Sequence, residues 1–456
     1  MIAFSGFLKE CEEDSEINLT HFICFSSGSI LAEYIRPPYK KDGYKLLFSM
    51  TKSLTSLAVG IARDKGLLKL EDFVVTYFKD ELPQKPHENL SKIKIRHLLT
   101  MTSGIHDNTY TMLVTQDNWV RAFLAQDFPH EPGTFYRYST HGSHMLSAII
   151  QKVSGLTLED FLNKFLFFPM AIYEAKWESS PEGITAGGMG LSLYPQSLVK
   201  IAQLLLNGGI YNNEALLSEE YIAMATTCQA IKQDDFQDNK NTFCGFEYGF
   251  QFHICKEGYY RADGAFGQLC LLCPEKRYGF LAFSQKTKME KLLSLIYKYF
   301  IEAEEALVID NSDNQAAIGE MPEPGLLIPE ARYKMEYNPL GIDYLEFGTD
   351  PLNQYMKMVL PQREDILYFN LSYLTEGKMH FIKDLEEHYQ AYVCRAKGSE
   401  KQVLELTAYF IETPYVVKYR IAFERGLIKL DFSINVSFTL KNFCVTGVVW
   451  DTVLNA

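Results

Sequence analysis

The 456-residue sequence is short of several features that would point to particular classes of protein. It has no Lys/Arg-rich run and a net charge of −13, so nucleic acid and anionic membranes are poor partners for it. No apolar run approaches the roughly 18–20 residues that cross a bilayer. Residues 1–14 have neither the basic segment nor the long apolar segment of an export signal, so we expect a cytoplasmic protein.

Motifs for metals and cofactors are also missing. There is no HExxH, P-loop or GxGxxG sequence. No metal-ligand spacing joins the histidines that stand near other motifs, namely His97, His106, His141 and His144. We therefore expect neither a metal ion nor a cofactor.

The nine cysteines favour a reduced, structural role. Their number is odd, and without an export signal we expect free thiols. Cys270 and Cys273 form the one Cys-x-x-Cys pair, in an apolar run where positions i and i+3 of a strand face opposite ways. We expect both to be buried core residues.

Apolar periodicity divides the chain into successive parts. Residues 21–35 indicate a hairpin, and a stripe from Met50 to Ile61 recurs at helical spacing, with Gly66 as the expected C-cap. Further helices are expected at 93–101, 117–125, 141–154, 157–168, 195–207 and 288–303. Strands are expected at 243–255, 259–262, 267–273 and 278–284.

Turn-forming residues are frequent over 304–330, and beyond them apolar and polar residues alternate as in half-buried antiparallel strands. We therefore expect one domain over 1–305, with a helix-rich lobe at roughly 70–235. A linker is expected over 306–330 and an all-β domain over 331–456.

The first candidate for chemistry is Ser49-Met-Thr-Lys52, at the start of the predicted Met50–Ile61 helix. The spacing i, i+3 places the hydroxyl and the amine on one helical face. A serine is a poor nucleophile unless a base takes its proton, and a lysine in an apolar pocket holds its own proton less firmly. A second copy, Ser197-Leu-Val-Lys200, lies inside an amphipathic helix, where we expect a solvated face and a cap.

Two further segments carry polar groups next to predicted elements. Tyr138-Ser139-Thr140 precedes a helix, and a tyrosine there can act as a base beside a lysine, although a core tyrosine is the commoner case. Ala262-Asp263-Gly264 lies between two strands, where a glycine lets the backbone approach a ligand and aim an N–H group at an oxyanion. A plain Asp-Gly hairpin turn is the alternative.

Taken in order, these segments resemble the serine β-lactamase/penicillin-binding-protein-like superfamily. The branch most alike contains class C β-lactamases, family VIII esterases and 6-aminohexanoate-dimer hydrolase. The resemblance covers roughly residues 15–300 and rests on the order of its segments, which are 48–53, 65–72, 96–104, 138–140, 142–150, 187–191 and 264–268.

The resemblance implies an α+β, β-lactamase/transpeptidase-like catalytic domain, an antiparallel sheet with flanking helices plus an all-helical lobe, followed here by an all-β C-terminal domain. It implies that Ser49 is acylated, that Lys52 and Tyr138 share the base role, and that the N–H groups of Ser49 and Ala265 form the oxyanion hole. The implied substrate-binding positions are Thr140, Ala262, Asp263 and Gly264.

Two of these positions depart from the family pattern. Thr140 stands where the family has Asn, so the paired donor and acceptor of an amide are lost. Ala262 stands where β-lactamases have the Lys of Lys-Thr-Gly, which helps to bind the carboxylate of a β-lactam. Arg261 carries positive charge but should face away from Ala262 along a strand.

Two literal motif matches are set aside. Lys256-Glu-Gly258 precedes the strand expected at 259–262 and lacks the downstream Gly-Gln pair. Tyr211-Asn-Asn213 follows two glycines and is typical of a turn.

We therefore expect a serine hydrolase that forms an acyl-enzyme on Ser49 and acts on a small ester, amide or peptide, an esterase or amidase rather than an efficient β-lactamase. The alternative is a catalytically weak or inactive protein that binds or senses a ligand on the same scaffold. The expected partner is a small acyl substrate, with no nucleic acid and no membrane. The sequence leaves open the natural substrate, a monomeric or homodimeric state, and whether the β domain covers the cleft or mediates dimerisation.

Overall fold

The N-terminal hairpin is one edge of a large antiparallel sheet in the computed structural model, which describes residues 3–107, 112, 114–232, 245–302, 328–400 and 402–452. These residues fall in two units, those of Met1–Tyr34 with Tyr44–Asp313 and those of Ile35–Gly43 with Asn314–Ala456. Apart from 328–330, the expected linker lies outside the described residues, as do Cys244 and the start of the strand expected at 243–255.

The first unit mixes helices with short and long strands. Its helices are α1 (Ala3–Glu13), α2 (Thr51–Asp64), α3 (Ile95–Leu99), α4 (Trp119–Leu124), α5 (Thr140–Ser154), α6 (Leu158–Leu162), α7 (Pro195–Leu206), α8 (Glu219–Ala225) and α9 (Met289–Ile296). Its strands are β1 (Leu19–Ser26), β2 (Ile30–Ile35), β3 (Lys45–Leu46), β4 (Lys176–Trp177), β5 (Leu191–Leu193), β6 (Ile210–Tyr211), β7 (Glu214–Ala215), β8 (Ala230–Ile231), β9 (Glu247–Tyr248), β10 (His253–Ile254), β11 (Tyr260–Gly264), β12 (Gln268–Cys273) and β13 (Tyr278–Ser284).

The main sheet of this unit has eight strands in the order β2-β1-β13-β12-β11-β10-β9-β8. Its two faces bury separate apolar cores, because successive side chains of a strand point to opposite sides. Cys270 packs in the core that includes α2 and α7, and Cys273 in the core that includes α1 and α9. Both are free, buried thiols, as expected for a structural role.

Helix α2 forms because its apolar stripe faces the larger core, where Leu54, Leu57 and Ile61 are buried. The helix ends in a Schellman arrangement at Gly66, which has φ +71°. Leu67 N–H donates to Ala62 O at 2.9 Å and Gly66 N–H to Arg63 O at 2.9 Å. The predicted C-cap is therefore present, and the helix that begins next to Ser49 has a well-defined end.

The strand expected over 243–255 is replaced by two short strands, β9 and β10. The chain reverses between them, with Gly249 N–H donating to Phe252 O at 2.8 Å and Gln251 at φ +63°. Apolar residues on both sides of the reversal are buried, which gave the run its strand-like appearance. None of the described helices is both long and apolar enough to cross a bilayer.

The second unit is built on a ten-stranded antiparallel sheet in the order β17-β16-β15-β14-β23-β22-β21-β20-β19-β18. Side-chain bonds join its two edges: Thr375 Oγ1 donates to Tyr368 O at 2.7 Å, and Tyr368 N–H donates to Tyr392 Oη at 2.7 Å. The strands are β14 (Ala331–Met335), β15 (Tyr344–Thr349), β16 (Gln354–Leu360), β17 (Arg363–Phe369), β18 (Thr375–Ile382), β19 (Glu387–Glu400), β20 (Val403–Phe410), β21 (Val416–Glu424), β22 (Leu427–Ile434) and β23 (Phe443–Thr452).

Candidate active site

Ser49 lies in a tight turn between β3 and α2. The turn Phe48–Met50 is a 3₁₀ helix, and Phe48 adopts φ +48°, a left-handed conformation that is uncommon for a bulky residue. Strain of this kind persists where the surroundings fix the backbone and is concentrated at functional sites. Ser49 itself is half-buried.

Lys52 brings its amine to the Ser49 hydroxyl. Its Nζ lies 3.0 Å from Ser49 Oγ and donates to Gly188 O at 2.7 Å. The side chain is 1% exposed, and Nζ also lies 4.9 Å from the centre of the Tyr138 ring. The i, i+3 spacing, which runs from the 3₁₀ turn into the first turn of α2, therefore produces the contact, because residues three apart lie on one face of a helical turn.

The segment 186–190 holds Lys52 in place through backbone carbonyls. Gly187 O accepts from Thr55 Oγ1 at 2.6 Å, one turn along α2 from Lys52. Trp177 Nε1 donates to Ala186 O at 2.8 Å and to Met189 O at 3.0 Å. Four successive carbonyls of this segment thus accept from side chains, because the residues lie in no regular ladder.

Close approach to α5 explains the glycines of that segment. A Cβ at Gly187 would lie 2.3 Å from Ser143 O, and one at Gly188 would lie 2.7 Å from Thr140 Cγ2. The carbonyl that binds Lys52 is therefore packed directly on the helix that follows Tyr138. The resemblance includes residues 187–191, but the sequence assigned this segment no role. The pair Gly187-Gly188 is the sequence feature that could have indicated the close packing.

Tyr138 lies beside the Ser49–Lys52 pair, with its ring centre 4.9 Å from Lys52 Nζ. Burial raises the pKa of the Tyr138 phenol, the neighbouring Ser49 hydroxyl lowers it in part, and the charge of Asp263 adds to the rise. The phenol therefore remains protonated near neutral pH. Tyr138 is positioned by the start of α5, where the Ser139 side chain accepts from Gly142 N–H at 3.0 Å.

A buried glutamine connects the elements that carry these residues. Ser53 Oγ on α2 donates to Gln251 O at 2.6 Å, and Ser143 Oγ on α5 donates to Gln251 Oε1 at 2.7 Å. Gln251 Nε2 donates to Leu98 O and Leu99 O, both at 3.0 Å, at the end of α3. Nothing in the local sequence pointed to Gln251, because its four partner residues, on three helices, are far away along the chain.

The third segment approaches the nucleophile from the sheet. A Cβ at Gly264 would lie 2.3 Å from Leu47 O, so only glycine lets β11 reach the turn that carries Ser49. Gln268 Nε2 donates to Ala265 O at 3.1 Å and to Ser284 O at 3.0 Å. These bonds fix the turn that contains Ala265, the residue expected to supply the second oxyanion donor.

The predicted substrate-binding residues differ in burial and in charge. Thr140 is buried with its methyl group toward Gly188, and Ala262 is buried in the apolar core that contains Met50. Asp263, in contrast, is partly exposed, with 19% of its side chain accessible. It is the charged member of the set, and its environment therefore defines the electrostatics of this side of the site.

Arg261 and His253 both bind the Asp263 carboxylate. Arg261 Nε lies 3.0 Å from Oδ2, and His253 Nε2 lies 3.1 Å from Oδ1. Burial alone would raise the pKa of Asp263, but the two neighbours hold it well below its usual range. Burial lowers the pKa of His253 to about 4, so the imidazole is neutral and Asp263 is ionised near neutral pH.

The alternative motif matches have structural roles. Ser197 Oγ donates to Glu174 Oε1, and Lys200 Nζ lies 3.4 Å from Met170 O and 3.3 Å from Ala171 O. The N-cap of α7 is Tyr194, so Ser197 is a buried helix residue and not the cap that we expected. Asn212 and Asn213 form a tight hairpin turn at φ +48° and +66°, and 256–258 is a 3₁₀ turn.

The four histidines considered as metal ligands lie in different environments. His97 and His141 bond to Lys94 N–H and Gln126, His106 bonds to His130, and His144 Nε2 lies 3.6 Å from Glu182 Oε1. Among the described residues, no three His, Cys, Asp or Glu side chains are grouped as metal ligands.

In this fold, a serine at a helix start has a lysine amine at 3.0 Å, a tyrosine ring beside that amine, and a glycine-bearing strand packed on the turn that carries the serine. The Beta-lactamase family model matches residues 30–299. This is more than half of the chain, and the chain belongs to the Beta-lactamase family.

Similar proteins agree with this assignment. Penicillin-binding protein 4* of Bacillus subtilis (strain 168) is 28% identical over 221 residues, 44% of this chain and 47% of that protein. The 6-aminohexanoate-dimer hydrolase of Paenarthrobacter ureafaciens is 21% identical over 217 residues, 44% of this chain and 55% of that protein. The matches thus span about half the length of these relatives.

One solved structure extends over both units. The octameric penicillin-binding protein homologue from Pyrococcus abyssi aligns with 97% of this chain and 98% of its own, at 17% identity and a TM-score of 0.51. The likeness shows the fold. It confirms the predicted class, a β-lactamase/transpeptidase-like domain followed by an all-β domain.

Proposed function

We propose that the protein is a serine hydrolase that forms an acyl-enzyme on Ser49 and acts on small esters or amides. The observation that carries the proposal is the 3.0 Å contact of Ser49 Oγ with Lys52 Nζ, whose amine lies 4.9 Å from the centre of the Tyr138 ring. A hydroxyl in contact with a proton-accepting side chain, with a second proton-transferring group close by, is an arrangement that activates a serine nucleophile.

In the acylation step, Ser49 Oγ attacks the acyl carbon and its proton passes to Lys52, which enters the step as the neutral amine. The raised pKa of Tyr138 argues against a resting phenolate and favours the phenol as a proton relay. The N–H groups of Ser49 and Ala265 receive the developing oxyanion. The leaving group then takes a proton through Tyr138 and departs as an alcohol or amine.

In the second step, water attacks the Ser49 ester. Lys52 and Tyr138 accept the proton of the water, and Ser49 Oγ departs with a proton from the same pair as the free acid forms. A substrate without a carboxylate is favoured over a β-lactam, because Ala262 supplies no cation and Arg261 is bound to Asp263. The hydrolase names among the relatives support the same reaction class.

The decisive test is covalent labelling. A fluorophosphonate probe is expected to label Ser49, as read by mass spectrometry of the tryptic peptide, and Ser49→Ala should abolish both labelling and ester hydrolysis. Ser197→Ala is the matched control because it removes the serine of the second Ser-x-x-Lys copy, and it should leave both intact.

The competing function is a binding or sensing protein on this scaffold. It predicts thermal stabilisation by an acyl ester or β-lactam without turnover. Multiple-turnover hydrolysis that disappears in Ser49→Ala excludes it. Labelling that persists in Ser49→Ala would overturn the proposed mechanism.

A further inference from the structure

The carboxylate of Asp263 is the charged group that β11 brings toward Tyr138. The His253 ring bonds to Asp263 and lies 6.4 Å from the Tyr138 ring, centre to centre, with an angle of 26° between the planes. Asp263 also raises the pKa of Tyr138, so its negative charge acts on a phenol whose ring lies beside the Lys52 amine.

Register places Asp263 near the end of β11 that approaches the Ser49 turn, opposite Leu269 of β12. Strand β10 pairs with β11 at Tyr260 and Arg261, and β11 continues past this pairing through Asp263 to Gly264. Gly264 packs against Leu47 O in the Ser49 turn. Consecutive Cα atoms are about 3.8 Å apart, so the Asp263 backbone lies within one residue of that contact.

The two side chains of the Arg261–Asp263 ion pair are buried to different extents. The Arg261 side chain is 5% exposed, and its Nη1 lies 3.2 Å from Cys255 Sγ, whereas the Asp263 side chain is 19% exposed. Arg261 is therefore the deeper member, and the Asp263 side chain is the more accessible one. Each carboxylate oxygen has a second lone-pair site beyond the one that Arg261 or His253 occupies.

We propose that Asp263 selects acyl substrates that carry a protonated amine near the scissile carbonyl group. The ammonium group hydrogen-bonds to the accessible side of the carboxylate while the acyl carbon lies at Ser49, and charge-assisted bonds of this kind are roughly twice as strong as neutral ones. A substrate carboxylate in the same place is repelled. The proposal rests on the proposed function, because it takes Ser49 as the nucleophile.

Three rigid esters test the selectivity, namely 4-nitrophenyl benzoates with a para aminomethyl, ethyl or carboxymethyl group. We expect kcat/KM of the wild-type protein to be about tenfold higher for the aminomethyl than for the ethyl ester, and lowest for the carboxymethyl ester. The preference should weaken as ionic strength rises, because salt screens partly exposed charges.

Variants assign the effect to the carboxylate. Asp263→Asn keeps the shape and removes the charge, so the aminomethyl-to-ethyl ratio should fall toward one. Asp263→Glu keeps the charge and should retain the preference. Asp431→Asn is the matched control, since Asp431 also lies near cationic side chains, in the second unit, and it should leave the ratio unchanged.

The pH dependence has a definite sign. The pKa of Asp263 is depressed, and the groups that act on it are Arg261, His253 and Lys232. The carboxylate therefore stays charged as the pH falls, and the preference should persist from about pH 8 to about pH 5, disappearing at high pH when the substrate amine loses its proton.

The outcome separates this proposal from the proposed function. A wild-type ratio at or below one, or a ratio that Asp263→Asn leaves unchanged, overturns the selection by Asp263. If no ester is hydrolysed through Ser49, the proposed function fails, and calorimetry of benzylammonium binding to Ser49→Ala still decides the selection. Weaker binding after adding Asp263→Asn supports it, and equal binding refutes it.

Discussion

Ser49-Met-Thr-Lys52 and Ser197-Leu-Val-Lys200 are both Ser-x-x-Lys segments near helix starts in the first unit, and of these two only the first resembles a catalytic site. Ser49 Oγ lies 3.0 Å from Lys52 Nζ, in a 3₁₀ turn with the preceding residue at φ +48°. Ser197, in contrast, lies within α7 and donates to Glu174, while Lys200 Nζ is near the carbonyls of Met170 and Ala171.

The comparison shows that spacing supplies only the common helical face. The groups that surround the pair decide its chemistry. Lys52 is aimed at Ser49 by Gly188 O, a carbonyl from residues that pack on α5, and Tyr138 arrives from the chain just before that helix. At Ser197, the Glu174 carboxylate accepts the hydrogen bond from the serine hydroxyl. Lys200 is therefore not the group placed to accept the serine proton.

The largest expected contrast comes from removing each lysine. Lys52→Met should lower kcat/KM for a 4-nitrophenyl ester by about 10³-fold, because positioned proton transfer contributes roughly 10²–10⁴-fold. Lys200→Met, the same change in the second copy, should stay within about twofold. Comparable losses in the two variants would remove the distinction between the copies.

Tyr138 should matter less than Lys52 if it is a relay. We expect Tyr138→Phe to lower kcat by about 10²-fold with little change in KM, because the ring is kept and only the proton-transferring hydroxyl is lost. Steady-state kinetics on one ester checks this. The control is Tyr211→Phe, in the turn that matches Tyr-x-Asn literally, and it should behave as wild type.

The glycine contact behind Lys52 should be sensitive to one methyl group. Gly188→Ala places a Cβ 2.7 Å from Thr140 Cγ2, so we expect a loss of about 1–3 kcal/mol in the free energy of unfolding, together with lower activity. Adding Thr140→Ser, which removes that methyl group, should restore part of the stability in denaturant melts. Gly28→Ala, where a Cβ meets nothing within 4 Å, should be nearly neutral. A Gly188→Ala protein of wild-type stability would contradict the packing argument.

The smallest expected effect is on the second serine. Ser197→Ala removes one hydrogen bond to Glu174, which should cost about 1 kcal/mol of stability and leave kcat/KM unchanged. Chemical denaturation and ester hydrolysis measured on the same preparation provide the check. A fall in activity larger than the fall in stability explains would give the second copy a functional role.

Local sequence patterns predicted much of the fold. The apolar stripe of α2, its Gly66 cap, the hairpin of β1 and β2 and the strand at 278–284 are all present, because each depends on neighbours in sequence. The long strand expected near 250 failed for the opposite reason. Its apolar residues are buried against elements that are distant in sequence. The chain reverses at Gln251, which hydrogen-bonds to residues of three of these elements, α2, α5 and α3.

The site was predictable as a set of residues and less so as an arrangement. Ser49, Lys52 and Tyr138 were identified from motif order, and the structure brings them together. Gln251, Gly188 and His253 were not given a role, because their partners lie far away along the chain. The catalytic roles assigned to Ser49, Lys52 and Tyr138 remain predictions. So do the domain bounds and the roles assigned to Thr140, Ala262, Asp263, Gly264 and Ala265.

The sequence by itself determined the helical face shared by Ser49 and Lys52, and the glycines that let backbones approach. These are consequences of helix periodicity and of the missing Cβ, which act over a few residues. The tertiary structure decided which Ser-x-x-Lys copy meets a tyrosine. It also decided that Arg261 and His253 would bind Asp263, because burial makes an unpaired charge costly and each partner comes from wherever the fold supplies one.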